Sequence, residues 1–136
     1  MYEYIKGELV EATPANAVVD CGGVGYYINS SVNTYSKIAS QARVLLYIHQ
    51  IVREDAHLLY GFFSKEERSL FRSLISVSGI GANTANVMLS SMTVEEITGA
   101  ILTENVNAIK SVKGIGAKTA QRVIIELKDK VGKEGV

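Results

Sequence analysis

The sequence predicts an α+β chain in which a five-stranded β-barrel is followed by an all-α half. Three observations carry this prediction. Residues 1–63 run as short segments rich in β-branched and aromatic side chains, punctuated by turn residues. Ser64-Lys65-Glu66-Glu67 has the spacing of a helix capping box, which sets a boundary near residue 63. Beyond it, a stretch ending in Gly-Ile-Gly occurs twice, thirty-five positions apart. The expected division is therefore residues 1–63 and residues 64–136.

In the first half, Tyr2 to Val10 reads as a strand, and the single proline, Pro14, falls in the turn after it. Ala15 to Cys21 and Val24 to Ser31 are two more strands, with Gly22-Gly23 between them as a two-residue hairpin at positive φ demands. Val24, Tyr26 and Ile28 alternate onto one face of the third. Val32 to Ser40 is expected as a short helix on the spacing of Tyr35, Ile38 and Ala39. Arg43 to Ile51 and His57 to Phe62 complete the set. Five short antiparallel strands with one helix between the third and fourth match the oligonucleotide/oligosaccharide-binding (OB) barrel.

In the second half, Ile75-Ser76-Val77-Ser78-Gly79-Ile80-Gly81-Ala82-Asn83-Thr84-Ala85 is answered by Lys110-Ser111-Val112-Lys113-Gly114-Ile115-Gly116-Ala117-Lys118-Thr119-Ala120. In each copy a helical pattern stops, a Gly-Ile-Gly follows, and a new helical pattern begins. The first glycine suits a positive φ at a helix end, and the second permits close backbone approach. Ile80 and Ile115 are expected to plug inward. The amides of Gly81–Asn83 and Gly116–Lys118 then lie at a helix N-terminus with no intrahelical partner, where the helix dipole favours an anion such as phosphate. This is a helix–hairpin–helix arrangement, and it resembles the sequence-independent DNA-binding motif of that name. One Gly-x-Gly between helices is commonly a tight connection and nothing more. A connection does not, however, need the same isoleucine, alanine and threonine around it twice.

The helices between these repeats follow from the same signals. Leu70, Phe71, Leu74 and Ile75 form the apolar face of the first. Thr93-Val94-Glu95-Glu96 is a second capping box, and Val94, Ile97, Ile101 and Leu102 follow it. The last helix should run from Ala117 to about Val131, burying Ala120, Val123, Ile124 and Leu127 and leaving Lys118, Gln121, Arg122 and Asp129 elsewhere.

Several functions are excluded or disfavoured. The longest apolar run, Val44 to Ile48, is far too short to span a membrane. A single cysteine, Cys21, allows no intrachain disulfide, which fits a cytoplasmic setting. Gly114 to Thr119 superficially suggests a nucleotide phosphate loop, but Ala117 stands where that loop needs glycine and the context is helical, so ATP hydrolysis is not expected. His49 and His57 have no nucleophile or metal-ligand spacing near them, and neither a metal nor another cofactor is expected. The tyrosines Tyr26, Tyr27, Tyr47 and Tyr60 are expected mainly to pack, with base stacking the lesser alternative. Net charge is zero over 136 residues, which weakly disfavours nucleic acid. The split softens this, because residues 65–136 hold ten basic and eight acidic groups while residues 1–64 hold four and six.

Over the whole chain this order of parts resembles the RuvA family of bacterial Holliday-junction branch-migration proteins. The most specific pieces are Val52-Arg53-Glu54-Asp55-Ala56 with Leu58-Leu59-Tyr60-Gly61-Phe62, and Gly114-Ile115-Gly116-x-Lys118-Thr119-Ala120-x-Arg122. The resemblance implies a non-catalytic, DNA-binding scaffold of recombination and repair. In it a homotetramer, or an octamer, holds a four-way junction on one face. It implies that Glu54 and Asp55 form an acidic pin at the crossover. It implies that Gly79, Ile80, Gly81, Ala82 and Asn83 in one hairpin, and Gly114, Ile115, Gly116, Ala117, Lys118, Thr119 and Arg122 in the other, grip DNA backbone. The implied partners are the hexameric ATPase RuvB and a RuvC-type resolvase.

Two departures from the family pattern stand out. Family members often carry lysine where this chain has Asn83, so the first hairpin should be weaker electrostatically. The sequence stops at Val136, and Gly132 to Val136 is expected to open the linker to a third, ATPase-contacting domain that the chain lacks. A chain so ended should bind junctions without supporting ATPase-driven migration. Two other classes share paired hairpins: DNA glycosylases or nucleases, and generic duplex- or single-strand-binding modules. The first would need a catalytic lysine, aspartate or metal cluster beside the grip, and none is evident.

Overall fold

A computed structural model describes residues 1–133, and Glu134, Gly135 and Val136 of the expected linker lie outside the described residues. The chain divides into two compact units, Met1–Arg68 and Ser69–Val136.

The first unit is a closed barrel of β1 (Tyr4–Ala12), β2 (Asn16–Cys21), β3 (Val24–Ser30), β4 (Arg43–Val52) and β5 (His57–Phe62), in the order β1-β2-β3-β5-β4, with α1 (Val32–Ile38) between β3 and β4. Gly22 and Gly23 take φ of 62° and 96° and turn β2 into β3 as the sequence requires. Not every pairing is antiparallel. The barrel closes where β3 meets β5 in parallel, at Asn29–Tyr60 and Ser30–Gly61. Connecting those strands through α1 and β4 returns the chain in the same direction, which a hairpin-only reading cannot anticipate. The Asn29 side chain extends the closure, its Nδ2 donating to the Leu59 carbonyl at 3.1 Å.

Alternation sends Ile5, Ala17, Val19, Ile28, Val44, Leu46 and Ile48 into one core, capped by Ile38 of α1. On α1 the buried residues are Thr34 and Ile38, whereas Ala39 is exposed and Tyr35 only half-buried. The expected face is thus rotated by one residue. β1 runs on to Ala12 because its register shifts between Leu9 and Glu11, a bulge that leaves Val10 exposed.

Helix α2 (Lys65–Ile75) begins within this first unit. Ser64 Oγ accepts from the Glu67 amide at 3.1 Å, one half of the expected capping box. The reciprocal half is replaced. The Glu67 carboxylate is buried and accepts instead from the hydroxyls of Ser31, at 2.5 Å, and Thr34, at 2.7 Å. Thr34 Oγ1 in turn accepts from the Phe63 amide at 3.1 Å. Arg68 donates to the carbonyls of Glu3 and Ile48 and pairs with the Glu3 carboxylate at 3.1 Å.

The second unit is helical: the rest of α2, then α3 (Ala82–Ser91), α4 (Val94–Leu102), α5 (Val106–Lys110) and α6 (Ala117–Lys133). Thr93 and Glu96 form both halves of a capping box at the start of α4. α6 packs on α4 and α5 through Ala120, Val123, Ile124 and Leu127, all buried. It continues through Lys133, so Gly132 and Lys133 belong to the helix rather than to a linker.

Candidate nucleic-acid interface

The sequence repeat is a repeat of hydrogen bonds. In the first hairpin the Val77 amide donates to Leu74, Ile80 to Val77 and Ala85 to Gly81; in the second, Val112 donates to Ile109, Ile115 to Val112 and Ala120 to Gly116. Even the leading serines match, for Ser76 Oγ donates to the Ser73 carbonyl and Ser111 Oγ to the Ala108 carbonyl, each at 2.6 Å. Gly79 and Gly114 sit at φ of 97° and 91°, a left-handed conformation that L side chains resist. Ile80 and Ile115 are buried and pin each hairpin to its helices.

The second glycines do a different job. Gly81 is the N-cap of α3 with extended backbone (φ −88°, ψ 176°). Both Gly81 and Gly116 are exposed, and a Cβ built at either would meet nothing within 4 Å. The first-turn amides of α3 and α6 have no acceptor within their own helices and stand at the positive ends of the helix dipoles. Neither helix has a carboxylate in its first turn to occupy that end. The arrangement suits a phosphate, approached by backbone rather than side chain.

Cations are distributed unevenly. Lys118 is exposed in the first turn of α6, and Lys113, which sequence reasoning left out, is exposed immediately before Gly114. The signal was available, since 78/113 is one of the pairs at which the copies differ, serine against lysine. The first repeat, Ile75 to Val87, contains no lysine or arginine. A cation is borrowed: Arg122 Nη1 donates to the Ser78 carbonyl at 3.0 Å, and its guanidinium lies 3.7 Å from where a Gly79 Cβ would stand. Thr119 Oγ1 is 3.5 Å from the same point. Arg122 therefore serves the first hairpin, although in sequence it belongs to the second. Asn83 and Ala117 are exposed and Ala82 half-buried.

In the barrel unit, Glu54 and Asp55 are both exposed at the tip of the β4–β5 hairpin, which closes with the Arg53 amide donating to the Ala56 carbonyl at 2.8 Å. Among the described residues only Glu104 is a non-glycine at positive φ, so neither tip residue takes the left-handed turn conformation. Among those residues, too, no three His, Cys, Asp or Glu side chains gather as metal donors, and no helix is long and apolar enough to cross a membrane.

Three of the four tyrosines offered for base stacking are occupied. Tyr60 is buried, Tyr26 meets Tyr2 edge-on at 6.1 Å, and Tyr47 has the Lys65 and Arg68 cations 5.6 and 5.5 Å from its ring. Only Tyr27 is largely exposed, at 59%.

Comparison with known proteins agrees with this anatomy. Residues 1–61 match the family model described as the RuvA N terminal domain, and residues 71–129 match the SAM-like helix-hairpin-helix tandem. Curated relatives named Holliday junction branch migration complex subunit RuvA are similar along almost the whole chain. The one from Bacteroides fragilis is 58% identical over 96% of this chain and 65% of its own length. That from Christiangramia forsetii is 56% identical over 96% and 68%, and that from Azobacteroides pseudotrichonymphae 46% over 100% and 69%. The chain thus spans about two thirds of the length of these relatives. With its barrel and its paired hairpins matched in the same order, and with this identity, the chain belongs to the RuvA family.

Proposed function

We propose that the chain is a non-catalytic scaffold that binds four-way (Holliday) DNA junctions. In this reading residues 64–136 hold the sugar–phosphate backbone of a junction arm at the hairpins Gly79–Gly81 and Gly114–Gly116, through the amides at Gly81–Asn83 and Gly116–Lys118, with Lys118 and Arg122 adding charge. Residues 1–63 present Glu54 and Asp55 at the strand exchange, where their charge repels phosphate and directs each strand into the next arm. Four copies around the junction would bring four such tips to the centre. The relatives' shared name, a subunit of a branch migration complex, supports this reading, in which RuvB is the motor and a RuvC-type resolvase a further partner.

One observation carries the reading more than any other. The two hairpins repeat the same hydrogen bonds, and each leaves an uncovered glycine at the N-terminus of a helix with no acidic residue in its first turn. A connection needed only for folding has no reason to keep both ends open to an anion.

The test is competition. Labelled four-way junction should be retained against an excess of linear duplex of the same length, and incubation with Mg²⁺ should leave it uncut. Equal competition by duplex would favour a generic backbone-binding module. Cleavage would favour a nuclease. Molar mass measured with and without junction decides between a tetramer, an octamer and neither.

A further inference from the structure

The barrel unit carries a groove of about 340 Å³ that the junction reading does not use. Its floor is apolar, built from Ile38, Val44, Leu45 and Phe63, and its rim carries Lys6 and Arg43. Strand register explains the placing. On the β1–β4 pair Tyr4 lies opposite Tyr47, Lys6 opposite Leu45 and Glu8 opposite Arg43, so the two cations share the outward face of the sheet with Leu45 and Tyr47. Two more cations stand over aromatic rings of the groove: the Lys37 ammonium is 5.4 Å from the Phe63 ring and that of Lys65 5.6 Å from the Tyr47 ring. Among the described residues the salt bridges are Arg68–Glu3 and Lys128–Glu104, so none of these four cations has a carboxylate partner, Arg43 included despite Glu8 across the ladder.

We propose that this groove docks an acidic peptide segment of a partner protein, with one apolar side chain seated on the Ile38–Leu45–Phe63 floor and flanking carboxylates meeting Lys6, Arg43 and Lys37. Charge complementarity names the occupant: unpaired cations ring an apolar floor, and carboxylates beside an apolar anchor satisfy both at once. A nucleic-acid strand fits less well. Stacking a base needs an open ring face, and here the Phe63 and Tyr47 rings already carry cations that a base would have to displace. The volume suits one large side chain and its neighbours, near the lower bound of ligand sites, about 300 Å³.

The experiment uses the whole chain and a short fluorescein-labelled peptide of aspartates around a central phenylalanine, read by fluorescence anisotropy. Saturable binding is expected, weakening as salt rises. It should fall by about tenfold when alanine replaces the phenylalanine of the peptide, and by about tenfold again in a Lys6→Glu/Arg43→Glu variant whose thermal melt is unchanged. Should that variant fail to fold, Leu45→Asp gives the same readout from the floor. Absence of saturable binding overturns the proposal, as does indifference to the central phenylalanine. Displacement of the peptide by oligothymidine at equal or lower concentration would reassign the groove to single-stranded nucleic acid. Junction binding measured on the same variants should be unchanged, which keeps this site separable from the hairpin grip.

Discussion

Arg122 of α6 donates to the backbone carbonyl of Ser78, forty-four residues earlier, at 3.0 Å. A hairpin whose own stretch contains no basic residue thereby acquires a cation from its twin. The two copies are consequently not independent grips. The second supplies its own charge at Lys113 and Lys118, and the first depends on a side chain that the second repeat delivers.

Replacing Arg122 with alanine should therefore impair the first hairpin. The bond is exposed, so the stability cost should be small, about 1 kcal/mol in urea denaturation. Junction affinity should fall, and the slope of log affinity against log salt should flatten by about 1, the signature of one lost phosphate-neutralising charge. Unchanged affinity and slope would mean that the guanidinium only braces the loop.

Glu67→Ala should be far more costly to the fold. Its buried carboxylate accepts from both the Ser31 and Thr34 hydroxyls. Removing it strands two buried donors, at about 1–3 kcal/mol each before relaxation. Glu67→Gln keeps the volume but offers an amide where one hydroxyl needs an acceptor, and should fall between wild type and alanine. Chemical denaturation followed by tyrosine fluorescence would rank the three. An alanine variant as stable as wild type would show that the hydroxyls find other partners.

That carboxylate also marks where the sequence stopped being legible. Local signals were readable because short-range geometry decides them. The Gly22-Gly23 turn, the Thr93 capping box and the buried face of α6 need only neighbours in sequence, whereas on α4 the expected Leu102 is exposed and Thr98 and Ala100 are buried instead. Ser64-x-x-Glu67 carries the same pattern as Thr93-x-x-Glu96, yet Glu67 turns to α1, thirty-three residues back, because Ser31 and Thr34 lie buried beside it. The parallel β3–β5 closure and the Arg122–Ser78 bond were unreadable for the same reason: each joins residues thirty or more apart. The candidate hairpins were legible almost residue by residue because the chain wrote them twice. The identical local hydrogen bonds are what the repetition encodes.

Alkaline pH offers a check on the barrel. Burial raises the Tyr60 phenol above its ordinary value of 10.0, with the Arg53 charge opposing. A group whose folded pKa is raised contributes stability that is complete below the unfolded value and declines as pH climbs toward the folded one. Barrel stability should therefore fall as pH rises from about 10, and Tyr60→Phe should soften that decline. Thermal melts of the two proteins across this range make the comparison. Parallel profiles would place the alkaline loss on other groups.

Glu54→Ala with Asp55→Ala should leave stability within about 0.5 kcal/mol of wild type, since both side chains are exposed. The effect belongs in selectivity. Duplex should compete better against junction for the double variant, while hairpin-dependent affinity for either persists. Identical competition curves for variant and wild type would remove these carboxylates from the function.

The glycines separate folding from binding most cleanly, because the two in each hairpin differ in physics. Gly79→Ala and Gly114→Ala place a Cβ at φ of 97° and 91° and should each cost about 1–2 kcal/mol of stability. Gly61→Ala in the barrel should also destabilise, by about 1–3 kcal/mol, because its Cβ would lie 2.5 Å from Ile28 Cγ2. Gly81→Ala and Gly116→Ala carry neither penalty: their φ is not positive, and nothing lies within 4 Å of the added methyl group. Those two variants should melt with wild type and still bind junction more weakly, since the methyl group occupies the space a phosphate needs to reach the helix amides. The double variant should lose more than either alone if both hairpins grip. Full affinity in Gly81→Ala/Gly116→Ala, with an unchanged melt, would show that DNA does not approach the hairpins at these glycines.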